Sequence, residues 1–230
     1  MKPGIFEAPE DQSAGSFIDR ILDEKAGRVC ITCSFQAEDM VVLDLLRKRV
    51  PEVAVLFLDT GYHFAETYAY RDRMAALWNL NLVNLTPATT AAQQEQAFGL
   101  LYVSDPTQCC QIRKVAPLMS ALENFEVWFT GLRREQSATR AHLKKVEHHQ
   151  LPSGKQILKL SPLADWKWPA VLNYTEENRI EKLALYDQGY LSIGCEPCTS
   201  RPANASDPRS GRWQGKKTEC GIHTFTRQEG

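Results

Sequence analysis

The run Val53-Ala54-Val55-Leu56-Phe57-Leu58-Asp59-Thr60-Gly61 decides the fold. Its apolar part is continuous, short and followed by turn residues, which reads as a strand covered on both faces, and such strands belong inside parallel sheets. Asp59-Thr60-Gly61 closes the strand, and a helical stretch follows from Ala65 to Trp78. The alternation repeats on either side. Upstream, a helix from Ser16 to Lys25 precedes a β-prone run from Arg28 to Ser34, and an apolar helix spans Met40 to Leu46. Downstream come a strand at Leu80 to Leu85, a helix over about Ala91 to Phe98, and a helix from Ile112 to Leu122 with Pro117 as a kink or boundary. A buried strand is expected at Val127 to Thr130. Leu143 to Glu147 and Gln156 to Leu160 can pair as a hairpin around Pro152-Ser153-Gly154, and Thr175 is a plausible N-cap for a helix running to Tyr186. Strands alternating with helices predict an α/β fold: a mainly parallel sheet with helices on both faces.

Three parts are expected. Residues 1–15 are polar and aperiodic, a flexible N-terminal arm. Residues 16–198 make the α/β domain. Residues 199–230 are polar, basic and without apolar periodicity, a flexible C-terminal tail. With 230 residues, 43% of them hydrophobic, the chain can bury one substantial core. A net charge of −1, from 27 basic and 28 acidic residues, offers no overall field for nucleic acid or membrane. No signal-peptide core or bilayer-length apolar run is present, so a cytoplasmic chain is expected.

Seven cysteines in a reducing compartment point to metal ligation and thiol chemistry rather than to structural disulfides. Four of them fall in two short clusters, Cys109-Cys110 and Cys195-Glu196-Pro197-Cys198. One zinc ion would need all four sulfurs within about 2.3 Å of a single centre, and the side chains of adjacent residues diverge. A four-iron cluster takes one thiolate at each of four corners, which divergent neighbours can reach. The spacing therefore favours a [4Fe-4S] cluster, with zinc or catalytic disulfides as alternatives. Cys30 and Cys33 are also a Cys-x-x-Cys pair, but on a strand they point to opposite faces and read as core.

In open α/β sheets ligands sit beyond the carboxyl ends of the strands. Three loops qualify: Ser34 to Asp39, Leu58 to Gly61 and Gly131 to Arg140. The first lacks the paired glycines of a loop that wraps a pyrophosphate, which favours a nucleotide monophosphate over ATP cleavage. Arg133, Arg134 and Arg140 could hold phosphate or sulfate oxygens bidentately; a solvated charged loop is the alternative. Cys220, in Glu219-Cys220-Gly221-Ile222-His223, reads as a nucleophile whose thiolate Lys216, Lys217 or His223 could stabilise. The alternative is an incidental exposed thiol, with His223 a surface residue like His148 and His149.

Taken together, Cys109-Cys110-Gln111-Ile112-Arg113-Lys114, Gly194-Cys195-Glu196-Pro197-Cys198-Thr199 and Glu219-Cys220-Gly221-Ile222-His223 resemble the assimilatory adenosine 5′-phosphosulfate reductases. The match runs from about Ser34 to His223. It implies a Rossmann-like, adenine nucleotide α-hydrolase-like fold and thioredoxin-dependent reduction of adenosine 5′-phosphosulfate to sulfite and AMP. It also implies a [4Fe-4S] cluster on Cys109, Cys110, Cys195 and Cys198, and attack by Cys220 to give an S-sulfocysteine. By the same resemblance, Ser34, Asp59, Thr60, Gly61, Gly131, Arg133, Arg134 and Arg140 line the nucleotide pocket, while Lys114, Arg209, Arg212 and His223 face the cluster or the sulfate. Two positions depart from the pattern. Ala65 stands where many members carry proline, and Ser34-Phe35-Gln36-Ala37 differs from a Ser-Gly-containing loop. The rival readings are a 3′-phosphoadenylyl sulfate reductase or dual-substrate enzyme, an ATP-dependent tRNA thiolation enzyme, and a structural metal protein. A homo-oligomer stays open.

Overall fold

A computed structural model describes residues 12–25, 27–204 and 207–223. Residues 1–11 of the arm expected at 1–15, and the last part of the expected tail, 224–230, lie outside the described residues; Ala14 and Gly15 of the expected arm open the first helix. Strands β1 (Val29–Thr32), β2 (Ala54–Leu58), β3 (Asn81–Leu85), β4 (Val127–Phe129), β5 (Val146–Gln150) and β6 (Gln156–Leu160) form one sheet in the order β3-β2-β1-β4-β6-β5. Every neighbouring pair is parallel except the hairpin β5–β6. The helices are α1 (Ala14–Glu24), α2 (Ala37–Arg47), α3 (Ala65–Trp78), α4 (Ala91–Phe98), α5 (Leu101–Ser104), α6 (Pro106–Cys110), α7 (Ala116–Leu122) and α8 (Trp168–Glu177).

The period-2 alternation of strand side chains assigns the two faces. Ile31, Val55, Phe57 and Phe129 pack with apolar residues of α1, α2 and α8 on one side. Cys30, Ala54, Leu56 and Trp128 pack against α7 on the other. Both faces of β2 are thus covered, which is why its sequence has no polar alternate. Burying each side chain of this size contributes about 1.5–3 kcal/mol. Chain connections leave β1 and β4 toward opposite edges of the sheet, so a crevice opens at their carboxyl ends.

Three sequence expectations are corrected. The helix expected from Thr175 to Tyr186 is α8, which starts earlier, at Trp168, and ends at Glu177. Pro169 sits in its first turn, where the missing N–H costs no helical bond, and Arg179 enters the left-handed region at φ 53° just past its end. Thr175 lies in the last turn and donates to the Leu172 carbonyl instead of capping. The helix expected from Ile112 begins at Pro106 and carries the cysteine doublet. It passes through a π-helical turn, Gln111–Val115, into α7. His148 is exposed as expected, but His149 is buried on β5 with its ring 6.2 Å from that of Trp128, because alternate residues of this strand face the core.

The described part of the tail lies back across the carboxyl ends of the strands. Ser200 N donates to the Gly211 carbonyl at 2.8 Å, and Arg212 and Trp213 are buried. Its buried side chains are one arginine and one tryptophan, too few to create a period. Among the described residues no helix is long and apolar enough to cross a membrane.

Candidate active site

A cavity of about 430 Å³ sits in the crevice, lined from β1, β2, β4 and the tail; small-molecule sites are of this size. Its first wall is the loop after β1. Phe35 is held at φ 59° with its ring 5.8 Å from Phe57 and 6.3 Å from Tyr70. A bulky residue in that region is uncommon and marks a backbone over-determined by its surroundings. The turn sends the Ser34 amide and hydroxyl to the Asp39 carboxylate, at 2.7 and 2.6 Å. Asp39 also accepts from Gly131 N at 3.1 Å, so one carboxylate joins the β1 loop to the β4 loop. Burial pushes Asp39 up to about 6, outweighing the hydrogen bonds from Ser34 and Gly131 that favour its charge. Only glycine fits at 131, since a Cβ there would lie 2.3 Å from Asp39 Oδ1. Gln36 ties this loop to the far wall, accepting from Ile193 N at 2.8 Å.

The arginine-rich loop divides. Arg133 lines the pocket, but its guanidinium is taken up by Glu38 at 2.9 Å and Glu135 at 2.7 Å. Arg134 is outside the pocket lining and donates to the Leu143 carbonyl. Arg140 lines the pocket and is bound to Glu219.

Asp59, Thr60 and Gly61 are also outside the pocket lining. Asp59 accepts from Tyr68 and from Gly61 N. Thr60 Oγ1 lies 3.3 Å from Cys195 Sγ, and its carbonyl accepts from Arg113. This loop therefore serves a second, narrow cavity lined by Cys109, Cys110, Cys195 and Cys198 together with Arg113 and Lys114. The doublet reaches it from α6. The Cys-x-x-Cys pair reaches it from a 3₁₀ turn, Glu196–Cys198, pinned by the Glu196 N bond to the Tyr62 carbonyl at 2.7 Å. Among the described residues no group of three or more His, Cys, Asp or Glu is placed to hold a single ion; the four thiols line one cavity instead.

Cations surround these sulfurs. Arg113, Lys114 and Arg212 are all buried, and among the described residues none of the three pairs with a carboxylate. Arg113 and Arg212 donate to carbonyls and neutral side chains. Buried positive charge ordinarily has a counter-charge. Here the sulfurs are the groups available. Burial alone would raise the Cys195 thiol, but the Lys114 ammonium and the Thr60 hydroxyl bring it below its ordinary value. Lys114 and Trp213 line both cavities, and Lys114 is the charged residue of this shared wall between sulfurs and pocket.

The tail brings Cys220, Arg209, Arg212 and His223 to the pocket. Its sequence neighbours are engaged elsewhere: Lys216 donates to the Val103 carbonyl at 2.6 Å, and Lys217 sits over the Trp213 ring. The cations that share electrostatic coupling with Cys220 are Lys114, from the turn after the cysteine doublet, and Arg209 and Arg212, from earlier in the tail. His223 stacks on Trp128 at 5.7 Å, and enclosure together with Lys159, Arg140 and Arg209 holds its imidazole neutral, well below the usual range. His63, bonded to the Leu58 carbonyl at 2.8 Å, is pushed down to about 4 by burial. Gln36, Arg113 and Trp213 were not singled out by sequence. Each acts through partners remote in the chain, and no spacing rule marks them.

Residues 28–201 match the family model described as phosphoadenosine phosphosulfate reductase domain. An adenosine 5′-phosphosulfate reductase of Mycolicibacterium smegmatis is 42% identical over 215 residues, covering 93% of this chain and 89% of that protein. The crystal structure of phosphoadenylyl-sulfate reductase from Candida auris, a phosphate complex, superposes with a TM-score of 0.68 at 26% identity, over 81% of this chain and 89% of that one. The U34-tRNA thiolase NcsA from Methanococcus maripaludis, solved with its [4Fe-4S] cluster, shares the fold at a TM-score of 0.52 and 14% identity, over 74% of this chain and 64% of that one.

Proposed function

The chain belongs to the phosphoadenosine phosphosulfate reductase domain family, and we propose that it reduces adenosine 5′-phosphosulfate to sulfite and AMP, the substrate named for its relative at 42% identity. One observation carries the reading: Cys220 shares a pocket with Lys114, and Lys114 is also a wall of the cavity that gathers the four other thiols.

The nucleotide occupies the crevice between the β1 and β4 loops, where Ser34 and Gly131 are held by Asp39. The Cys220 thiolate attacks the sulfate sulfur. The bond from sulfur to the bridging oxygen breaks, AMP leaves with the electron pair, and Cys220 becomes an S-sulfocysteine. Lys114 and Arg212 face the charge that builds on the sulfate and leaving oxygens, and they are preorganised because burial fixes them. A thiolate of thioredoxin, a dithiol protein, then attacks Cys220 Sγ and releases sulfite. The second thiol resolves the mixed disulfide. Two thiols are oxidised to one disulfide while sulfur falls by two oxidation levels, so electrons balance. To meet that partner the tail must leave the pocket, as a lid does. A thiol-based cycle of this kind fits a reducing, cytoplasmic compartment.

Four thiols beside buried cations without carboxylate partners fit an anionic iron-sulfur group, and Cys109, Cys110, Cys195 and Cys198 would hold it. When bound, a [4Fe-4S] cluster would supply fixed negative charge that orients Lys114 toward the sulfate. Anaerobic purification with iron and sulfide counting tests this: about four of each per chain is expected, and one zinc would overturn it. Sulfite release measured with adenosine 5′-phosphosulfate and with its 3′-phosphorylated form tests the activity. Turnover with the first is expected; turnover with the second alone would reassign the chain to the sister activity.

A further inference from the structure

We propose that Glu219 is the latch that seats Cys220 in the pocket, and that Arg140 acts on the reaction through this carboxylate. The inference rests on Cys220 being the nucleophile. Glu219 immediately precedes Cys220, and its side chain is the most heavily bonded carboxylate on the tail. Oε1 accepts from Arg140 Nε at 2.9 Å, Thr139 Oγ1 at 2.9 Å and Ser137 Oγ at 3.3 Å. Oε2 accepts from Arg140 Nη2 at 2.7 Å and Arg209 Nη2 at 3.4 Å. The loop after β4 thus forms an anion seat from Ser137, Thr139 and Arg140, all within one short turn.

The seat belongs to the tail by its geometry. Arg140 meets Glu219 with two parallel N–H donors, and its remaining nitrogen, Nη1, donates to Gln136. Three of its five N–H groups are thereby engaged within the protein. Arg209 also donates to the Thr218 carbonyl at 2.8 Å, the residue before Glu219, so it braces the tail from within. The Arg140 and Glu219 side chains are only 11% and 13% exposed, which lifts the pair above the near-zero worth of surface salt bridges. Arg140 and its neighbours hold Glu219 ionised, down to about 2, so the latch stays charged across the working pH range. Beyond Cys220 the Lys159 ammonium donates to the His223 carbonyl at 3.4 Å and His223 stacks on Trp128. Releasing the Glu219 carboxylate would remove five hydrogen bonds that hold the segment carrying the nucleophile.

The test is the rate at which iodoacetamide alkylates Cys220 in the nucleotide-free holoenzyme, read by mass spectrometry of the Cys220 peptide. Glu219→Gln should speed labelling about tenfold, as expected for loss of a charge-assisted pair. Arg140→Gln should match it, the double variant should be no faster than either, and Glu219→Asp should fall between. In steady state Glu219→Gln and Arg140→Gln should lower kcat with KM for adenosine 5′-phosphosulfate held within about twofold. Thr139→Val removes one peripheral bond and provides a mild variant, with a smaller gain in labelling, should the others fold poorly. Wild-type labelling rates in Glu219→Gln and Thr139→Val, or a rise in KM confined to Arg140→Gln, would overturn the latch. Were the reductase reading itself wrong, no variant would release sulfite, yet the labelling contrast would persist.

Discussion

The wall that holds four cysteines and the tail that holds the fifth use one side chain in opposite ways. Cys109, Cys110, Cys195 and Cys198 are 5–8% exposed and sit on helical turns whose backbone bonds fix each sulfur. Cys220 is half-buried on an irregular segment held by side chains, above all by Glu219. Enclosure and anchorage differ, not the chemistry of the thiol. A ligand thiol gains from a site that cannot open. A nucleophile that must meet a sulfate and then a protein thiol needs contacts that can be undone without unfolding the sheet.

The most severe way to break this contrast is to remove one sulfur from each region. Cys220→Ser should cut sulfite release by at least about 10³-fold while leaving iron content unchanged, whereas Cys195→Ser should lose iron and turnover together. Loss of iron from Cys220→Ser would show that the two regions are one site. Lys114 is the charged residue of the shared wall, and Lys114→Met probes the link between them. A fall in kcat of about 10²–10³-fold is expected, as for a removed transition-state donor, with iron retained. A change in KM alone would make Lys114 a binding residue and weaken the electrostatic reading.

Smaller effects sharpen the fixed side. A methyl group at Gly194 would lie 2.0 Å from Arg212 Nη2, so Gly194→Ala must displace that guanidinium. A stability loss of about 1–3 kcal/mol in urea unfolding is expected; unchanged stability would mean that Arg212 moves freely. Mildest is the pH response of Asp39, which accepts most strongly from Ser34 and Gly131 while ionised. With its carboxyl raised to about 6, kcat/KM should fall as pH drops below that value, and Asp39→Asn should lack the acid limb. The sign for stability is opposite. Between the ordinary value of 3.8 and about 6 the folded chain keeps a proton that the unfolded chain releases, so this group's contribution declines as pH rises through that window.

Much of this contrast was legible beforehand, for reasons that can be named. The central strands of a parallel sheet must be apolar on both faces, and β2 announces itself that way; the hairpin β5–β6 carries its own turn. Helix ends were less legible. The opening of α8 at Trp168-Pro169 and the π-helical turn after the doublet depend on packing that local propensity does not encode. Of the three loops, the first lines the pocket with Ser34, Gln36, Glu38 and Asp39, whereas Thr60 in the second turns to Cys195 and Arg134 in the third turns away. Spacing assigns residues to a loop without saying which way each side chain points.

By itself the sequence determined the alternation of strand and helix, the grouping of four thiols and the isolation of the fifth. These are local or pairwise patterns, written by burial period and by residue chemistry. Only the tertiary structure decided that Lys114 stands between two cavities, that Arg140 meets Glu219 across the pocket, and that Lys114, not Lys216 or Lys217, shares the pocket with Cys220. Such partners lie far apart in the chain, and charges act through space, so their pairing exists only once the sheet has brought its loops to one edge.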